Sequence, residues 1–168
     1  TLVKRSDSDY IDWTSRWTEV VESFNWNLPA VLDQTGPTLL SLVGEEVNAG
    51  YAAIDAAQGQ DAENAACLAA IDDLRVAVKR EIDAYVERLL GGRNPNSGLF
   101  NYSCDTIVTR YATYQSAWTS ESGSWTLAGI QADTDSVKTA IESIVTHLDS
   151  IYRSSPDGNS WYPGHGEP

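Results

Sequence analysis

Apolar residues recur along this chain at steps of three and four, and they do so in five successive stretches. Such steps gather side chains on one face of a 3.6-residue helix, whereas a half-buried strand alternates at every second residue. The first row is Tyr10, Trp13, Trp17, Val20 and Phe24. Ser8 or Asp9 supplies a capping oxygen at its start, and Asn27-Leu28-Pro29 disfavours continuation past Trp26. A short apolar turn from Ala30 to Asp33 and the break Thr35-Gly36-Pro37 lead to a second helix carrying Leu40, Val43, Val47, Gly50, Ile54 and Ala57. Gly44, Ala49, Gly50, Ala52 and Ala53 make it unusually small in cross-section, so a neighbouring backbone can come close.

Gly59-Gln60 reads as a turn and Asp61 as an N-cap, which returns the third helix antiparallel to the second. This third row is the longest: Cys67, Ile71, Leu74, Val78, Ile82, Tyr85 and Leu89, stopped by Gly91-Gly92. Residues 91–103 are rich in Gly, Asn, Pro and Ser and read as a loop. A fourth helix presents Cys104, Ile107, Tyr111, Tyr114 and Trp118. A fifth runs through Leu127, Ile130, Thr134, Val137, Ile141, Ile144, Leu148 and Ile151. The expected fold is all-α, an antiparallel bundle of four to five amphipathic helices in a single domain over residues 1–168. Residues 1–7 form an N-terminal extension and 154–168 an irregular tail. The five rows complement one another within the chain, so a monomer is expected rather than a dimeric coiled coil.

Composition then narrows the partners. The chain has 168 residues with 24 acidic against 11 basic, a net charge of −13. Such a field repels phosphate backbones, so nucleic acid is not expected as a partner. No apolar run approaches the ~18 residues that cross a bilayer, and no signal peptide remains at Thr1. Lys4-Arg5 ahead of the acidic run Ser6 to Asp9 resembles a secretory processing site. Asn101-Tyr102-Ser103 is an N-glycosylation sequon directly before Cys104. With only two cysteines in the chain, this suggests a secreted protein with a Cys67–Cys104 disulfide.

That pairing would dictate topology. Cys67 lies ~33 Å along the third helix from its end. Thirteen residues reach at most ~43–47 Å, so residues 91–103 would be an extended strap. The fourth helix would then start beside the start of the third and run parallel to it.

Chemistry is thinly written. His147 reads as a half-exposed helix residue, and His165 sits in the Pro163-Gly164-His165-Gly166 tail. Two Cys and two His form no close-spaced pair, so neither a metal site nor a cofactor is expected. The paired carboxylates Glu45-Glu46, Asp72-Asp73 and Asp133 with Asp135 read as solvated helix faces, Glu45-Glu46 beside the small-residue helix being the pair to watch for hydrolytic chemistry. The aromatic residues Trp13, Trp17, Tyr111, Tyr114 and Trp118 are core residues or line an apolar pocket between helices. Trp161 and Tyr162 in the tail either dock on the bundle or stay exposed as a contact surface, and docking of Trp161-Tyr162-Pro163 is expected. Together these features favour a secreted, non-enzymatic binding protein for a partner protein or an apolar small molecule. A secreted toxin or host-directed effector and a carboxylate-dependent hydrolase are the alternatives.

Overall fold

A computed structural model describes residues 10–91, 105–118 and 126–154 of the chain. Among these residues it contains six helices: α1 (Trp13–Glu22), α2 (Leu39–Leu42), α3 (Gly44–Ala56), α4 (Gln60–Leu89), α5 (Asp105–Ser116) and α6 (Leu127–Ser154). No strand is formed among them; Asn27 and Thr38 make an isolated bridge.

The first helix begins later than the row of aromatics implies. Asp12 is its N-cap, its carboxylate accepting from the Ser15 amide at 3.1 Å and the Ser15 hydroxyl at 2.9 Å. These bonds hold the Asp12 carboxyl below its usual pKa, the backbone amide being the main cause. Tyr10 therefore precedes the helix and is exposed, while Trp17, Val20 and Phe24 are buried. Ser8 and Asp9 lie outside the described residues. The end of α1 also comes early, at Glu22, because the chain then extends to pair with the segment before α2. Leu28 N–H donates to the Pro37 carbonyl at 2.8 Å, and Leu39 N–H to the Trp26 carbonyl at 2.9 Å.

The expected second helix is two helices, broken at Val43 (φ −124°, ψ 24°). The Trp26–Leu39 bond fixes the direction of α2, and the break lets both Leu39 and Val43 reach full burial. The turn expected at Ala30 to Asp33 contains left-handed Leu32 and Asp33 (φ 55° and 61°), and the Leu32 amide is held by the Asp149 carboxylate at 2.6 Å. At the next turn Gly59 takes φ 95°, and α4 starts at Gln60 with no side-chain cap, so Asp61 is a first-turn residue rather than the N-cap. That acid still faces the positive end of the helix dipole.

Helix directions follow from named contacts. The Gln60 side chain clamps Ile11 from both sides, accepting from its amide at 3.1 Å and donating to its carbonyl at 2.8 Å. This sets the start of α1 beside the start of α4, and the two run parallel. The chain turns at Gly59 between α3 and α4, and Glu46 near the start of α3 lies 3.9 Å from Arg80 in the second half of α4, so the two are antiparallel. Tyr114 Oη donates to the Asp83 carboxylate, while Trp118, one turn further along, lies 5.8 Å beneath the Arg75 guanidinium and 5.9 Å beneath the Lys79 ammonium. As α5 advances it thus descends α4, and the two are antiparallel. Arg110 donates to the Ser143 carbonyl at 2.6 Å and Trp118 meets Ile130 and Thr134, so α6 is antiparallel to α5 in turn.

This order corrects the expected cross-link topology. The fourth long helix does not start beside Cys67; the Asp105 end of α5 points to the far end of α4, ~30 Å away along its axis. Cys67 is a free, buried thiol, its pKa pushed up by burial against a smaller opposing effect of Arg16. Cys104, the sequon at Asn101 and the strap expected over 91–103 lie outside the described residues apart from Gly91.

The core is one continuous apolar cluster drawn from every helix, with Trp17, Leu74, Val78, Ile82, Ile107, Tyr114, Ile141 and Ile144 almost wholly buried. Each such side chain stabilises the fold by roughly 1.5–3 kcal/mol relative to exposure. No described helix is long and apolar enough to cross a membrane.

Candidate functional site

The five aromatic candidates, on α1 and on α5 with the residues that follow it, divide between core and rim. Trp17 is 0% exposed; its indole N–H donates to the Val47 carbonyl at 3.2 Å and its ring meets Tyr51 edge-on at 6.3 Å. Trp13 is partly buried against the same cluster. Tyr111 and Tyr114 on α5 and Trp118 just past its end stack in sequence, with centroids 6.0 and 6.4 Å apart. Burial, helped by the bond to Asp83, pushes the Tyr114 phenol far above its ordinary pKa, so it stays a neutral donor. Trp161 and Tyr162 lie outside the described residues.

Between α1, α4 and α6 there is one small cavity of about 20 Å³, lined by Phe24, Ile71, Arg75, Trp118, Asp133 and Thr134 among others. A single water occupies ~10–15 Å³ on this measure, so this cavity has no room for an apolar small molecule. Asp133 was expected on a solvated face and is instead 8% exposed. The signal was available: Asp133 lies three residues after Ile130 and four before Val137, within the apolar row of α6. Arg75 lines the same cavity from α4.

A far larger depression lies outside the core, between α3 and α4. It has a volume of about 560 Å³ and is open to solvent. Its floor is alanine and glycine, from Ala49, Gly50 and Ala53 on α3 and Ala66, Ala69, Ala70 and Ala77 on α4; Glu45, Glu46, Asp73 and Arg80 stand at its rim. The small side chains that let the two helices come close leave nothing to fill the furrow above them. Val76 borders it and is 63% exposed, a β-branched residue with no cover among the described residues. Across Val76 and Arg80 the surface continues into a second depression of about 430 Å³, lined by Arg75, Lys79, Asp83 and Glu87.

Glu45 and Glu46, the pair singled out in the sequence, line this furrow together with a third carboxylate, Asp73. Arg80 lies 3.9 Å from Glu46 and 3.3 Å from Glu81. The groups stand on an open rim around an apolar floor, an arrangement suited to orienting a partner. Hydrolysis asks for a shaped cleft with a carboxylate on each side of the scissile bond. His147 is half-buried on α6, its pKa lowered by burial and then by Arg110. Among the described residues no cluster of His, Cys, Asp and Glu suitable for a metal is present.

Compared with known proteins, the chain matches no family model, no curated protein and no solved structure.

Proposed function

We propose that this protein is a non-enzymatic binding protein that acts in the extracellular space and engages another polypeptide through the outer face of α3 and α4. The observation that carries this reading is the contrast in volume between about 20 Å³ inside the bundle and about 560 Å³ on its α3–α4 surface. An apolar small molecule needs the former to be roughly 300 Å³ or more. A helix or ridge from a partner needs the latter: a furrow with a smooth apolar floor and charged edges that fix register. The extracellular location rests on the Asn101 sequon and the acidic composition, without the disulfide.

Native mass spectrometry of the protein taken from its own source tests the reading. A second polypeptide is expected in the complex, with glycan on Asn101 and no retained apolar small molecule. Substituting Ala53→Trp fills the furrow and is expected to abolish that complex at unchanged thermal stability. Retention of a small molecule, or a polypeptide complex indifferent to Ala53→Trp, contradicts the reading.

A further inference from the structure

From the charges around Val76 we infer that the polypeptide seated on this face is a second copy of the same chain, with the two α4 helices antiparallel about a two-fold axis near Val76. The inference rests on reading the α3–α4 furrow as a docking face and names its occupant. Asp72 and Asp73 lie four and three residues before Val76; Lys79 and Arg80 lie three and four residues after it. All four project within about 60° of Val76 around the helix at 100° per residue. Asp73 and Arg80 fall on the α3 side, where both line the furrow; Lys79 falls on the other side of Val76, over Trp118, and helix spacing sets Asp72 on that same side.

An isologous contact brings each residue opposite its symmetry mate's counterpart. Turning one copy about the two-fold axis preserves the side and reverses the direction. Asp73 of one copy therefore meets Arg80 of the other, and Asp72 meets Lys79. Four opposite-charge pairs form around two apposed Val76 side chains. A parallel arrangement would set acid on acid and base on base.

The ion pairs that Lys79 and Arg80 already make are surface contacts: Lys79 with Asp83 at 2.8 Å, both side chains about two-fifths exposed, and Arg80 with Glu46 and Glu81. Exposed pairs of this kind contribute ~0–1 kcal/mol, so exchanging or sharing them costs little. The overall charge of −13 opposes association. That repulsion is screened beyond ~8 Å at physiological ionic strength, whereas the four pairs act at contact. The four residues that flank Val76 balance, two acids against two bases, in a chain with more than twice as many acids as bases, while Glu45 and Glu46 add negative charge at the furrow's rim. The two α4 helices meet at Val76, and each furrow faces its symmetry mate beside that contact. The α3–α4 face measures ~20 Å by ~20 Å from helix length and diameter. That is below the ~800 Å² per partner of a standard interface, so the dimer is weak and concentration-dependent. The monomer expected from the sequence rested on the helical rows satisfying one another; Val76 is an apolar position that they leave over.

Sedimentation equilibrium of the full chain over a concentration series tests the inference. The apparent mass is expected to rise toward twice that of the chain; a constant single-chain mass at the highest attainable concentration overturns it. Two double variants test the register. Asp72→Lys with Asp73→Lys surrounds Val76 with four cations, and Lys79→Glu with Arg80→Glu surrounds it with four anions. Each alone is expected to stay monomeric, and an equimolar mixture to form a heterodimer, because mixing makes every facing pair opposite again. A mixture that stays monomeric while the unmodified chain dimerises overturns the assigned register. Circular dichroism confirms that the variants are folded. The single exposed change Val76→Lys, expected to abolish the dimer, probes the same contact with least disturbance, and a dimer that survives it overturns the placement of the axis. A source-derived complex with a different polypeptide, lost on Ala53→Trp while the purified chain is monomeric, keeps the docking face and rejects the second copy as its occupant.

Discussion

Helix α3 faces two ways with nearly the same side chains, and the two faces have opposite fates. Inward, the space where a Cβ of Gly50 would stand is sealed by Trp17, 2.3 Å away at the indole Cζ2, although the rest of this glycine contributes to the furrow's floor. Outward, Ala49 and Ala53 are exposed above a furrow that no part of the described chain fills. Small residues permit close approach in either direction. What differs is the occupant, an indole from α1 on one side and nothing from the described chain on the other. A small side chain marks a place where something comes near, and only the tertiary arrangement says whether that something is the protein's own.

Removing the inner occupant gives the largest expected effect. Trp17→Ala should cost about 3–5 kcal/mol, as expected for a wholly buried Trp, read as a shift in the urea unfolding midpoint. A matched pair then separates the two faces directly. Gly50→Val should destabilise by about 1–3 kcal/mol through overpacking against Trp17, while Ala53→Val, one turn away on the outer face, should stay within ~0.5 kcal/mol. Equal effects at the two positions would erase the distinction between a filled and an empty face.

A smaller gain is expected where the fold holds strain away from both faces. Leu32 is exposed and sits at φ 55°, so Leu32→Gly should stabilise by about 1 kcal/mol, measured by thermal unfolding. A loss would mean that the bond from its amide to Asp149 depends on the leucine side chain.

The smallest effect is one of pH and lies on α6, remote from the furrow. Burial lowers the His147 pKa in the folded state, so the unfolded chain binds the proton more readily. The corresponding stability is complete above the unfolded value of ~6.5 and declines as pH falls through the folded one. His147→Gln should flatten that part of the stability profile. The association of the α3–α4 face should show no matching step in the same window.

Much of the interior was legible because helical periodicity is local. The α4 row from Cys67 to Leu89 needs only the chain's own spacing, and that helix is found within two residues of its expected ends. Boundaries set by distant partners were not legible. Val43 breaks a row that looks continuous because the Leu39 amide is bonded to Trp26, thirteen residues back. Asp133 lies inside the bundle, where residue type alone places an acid outside. The same limit applied to the candidate site. Glu45, Glu46 and the small residues of α3 were visible as a group, but their position across from Ala66, Ala69 and Ala77 depends on how α3 returns along α4. The expected Cys67–Cys104 link shows the converse risk: a sequon and a cysteine count bear on compartment, and helix order is set by packing instead.

The most direct test of the outer face is hydroxyl-radical footprinting of Val76 against Tyr10, two exposed side chains at 63% and 56%. Oxidation would be compared between the dilute, isolated chain and the assembly drawn from its own source. Val76 is predicted to become protected in the assembly while Tyr10 reacts as before. Equal oxidation of Val76 in both samples would contradict the claim that α3 and α4 carry the docking face.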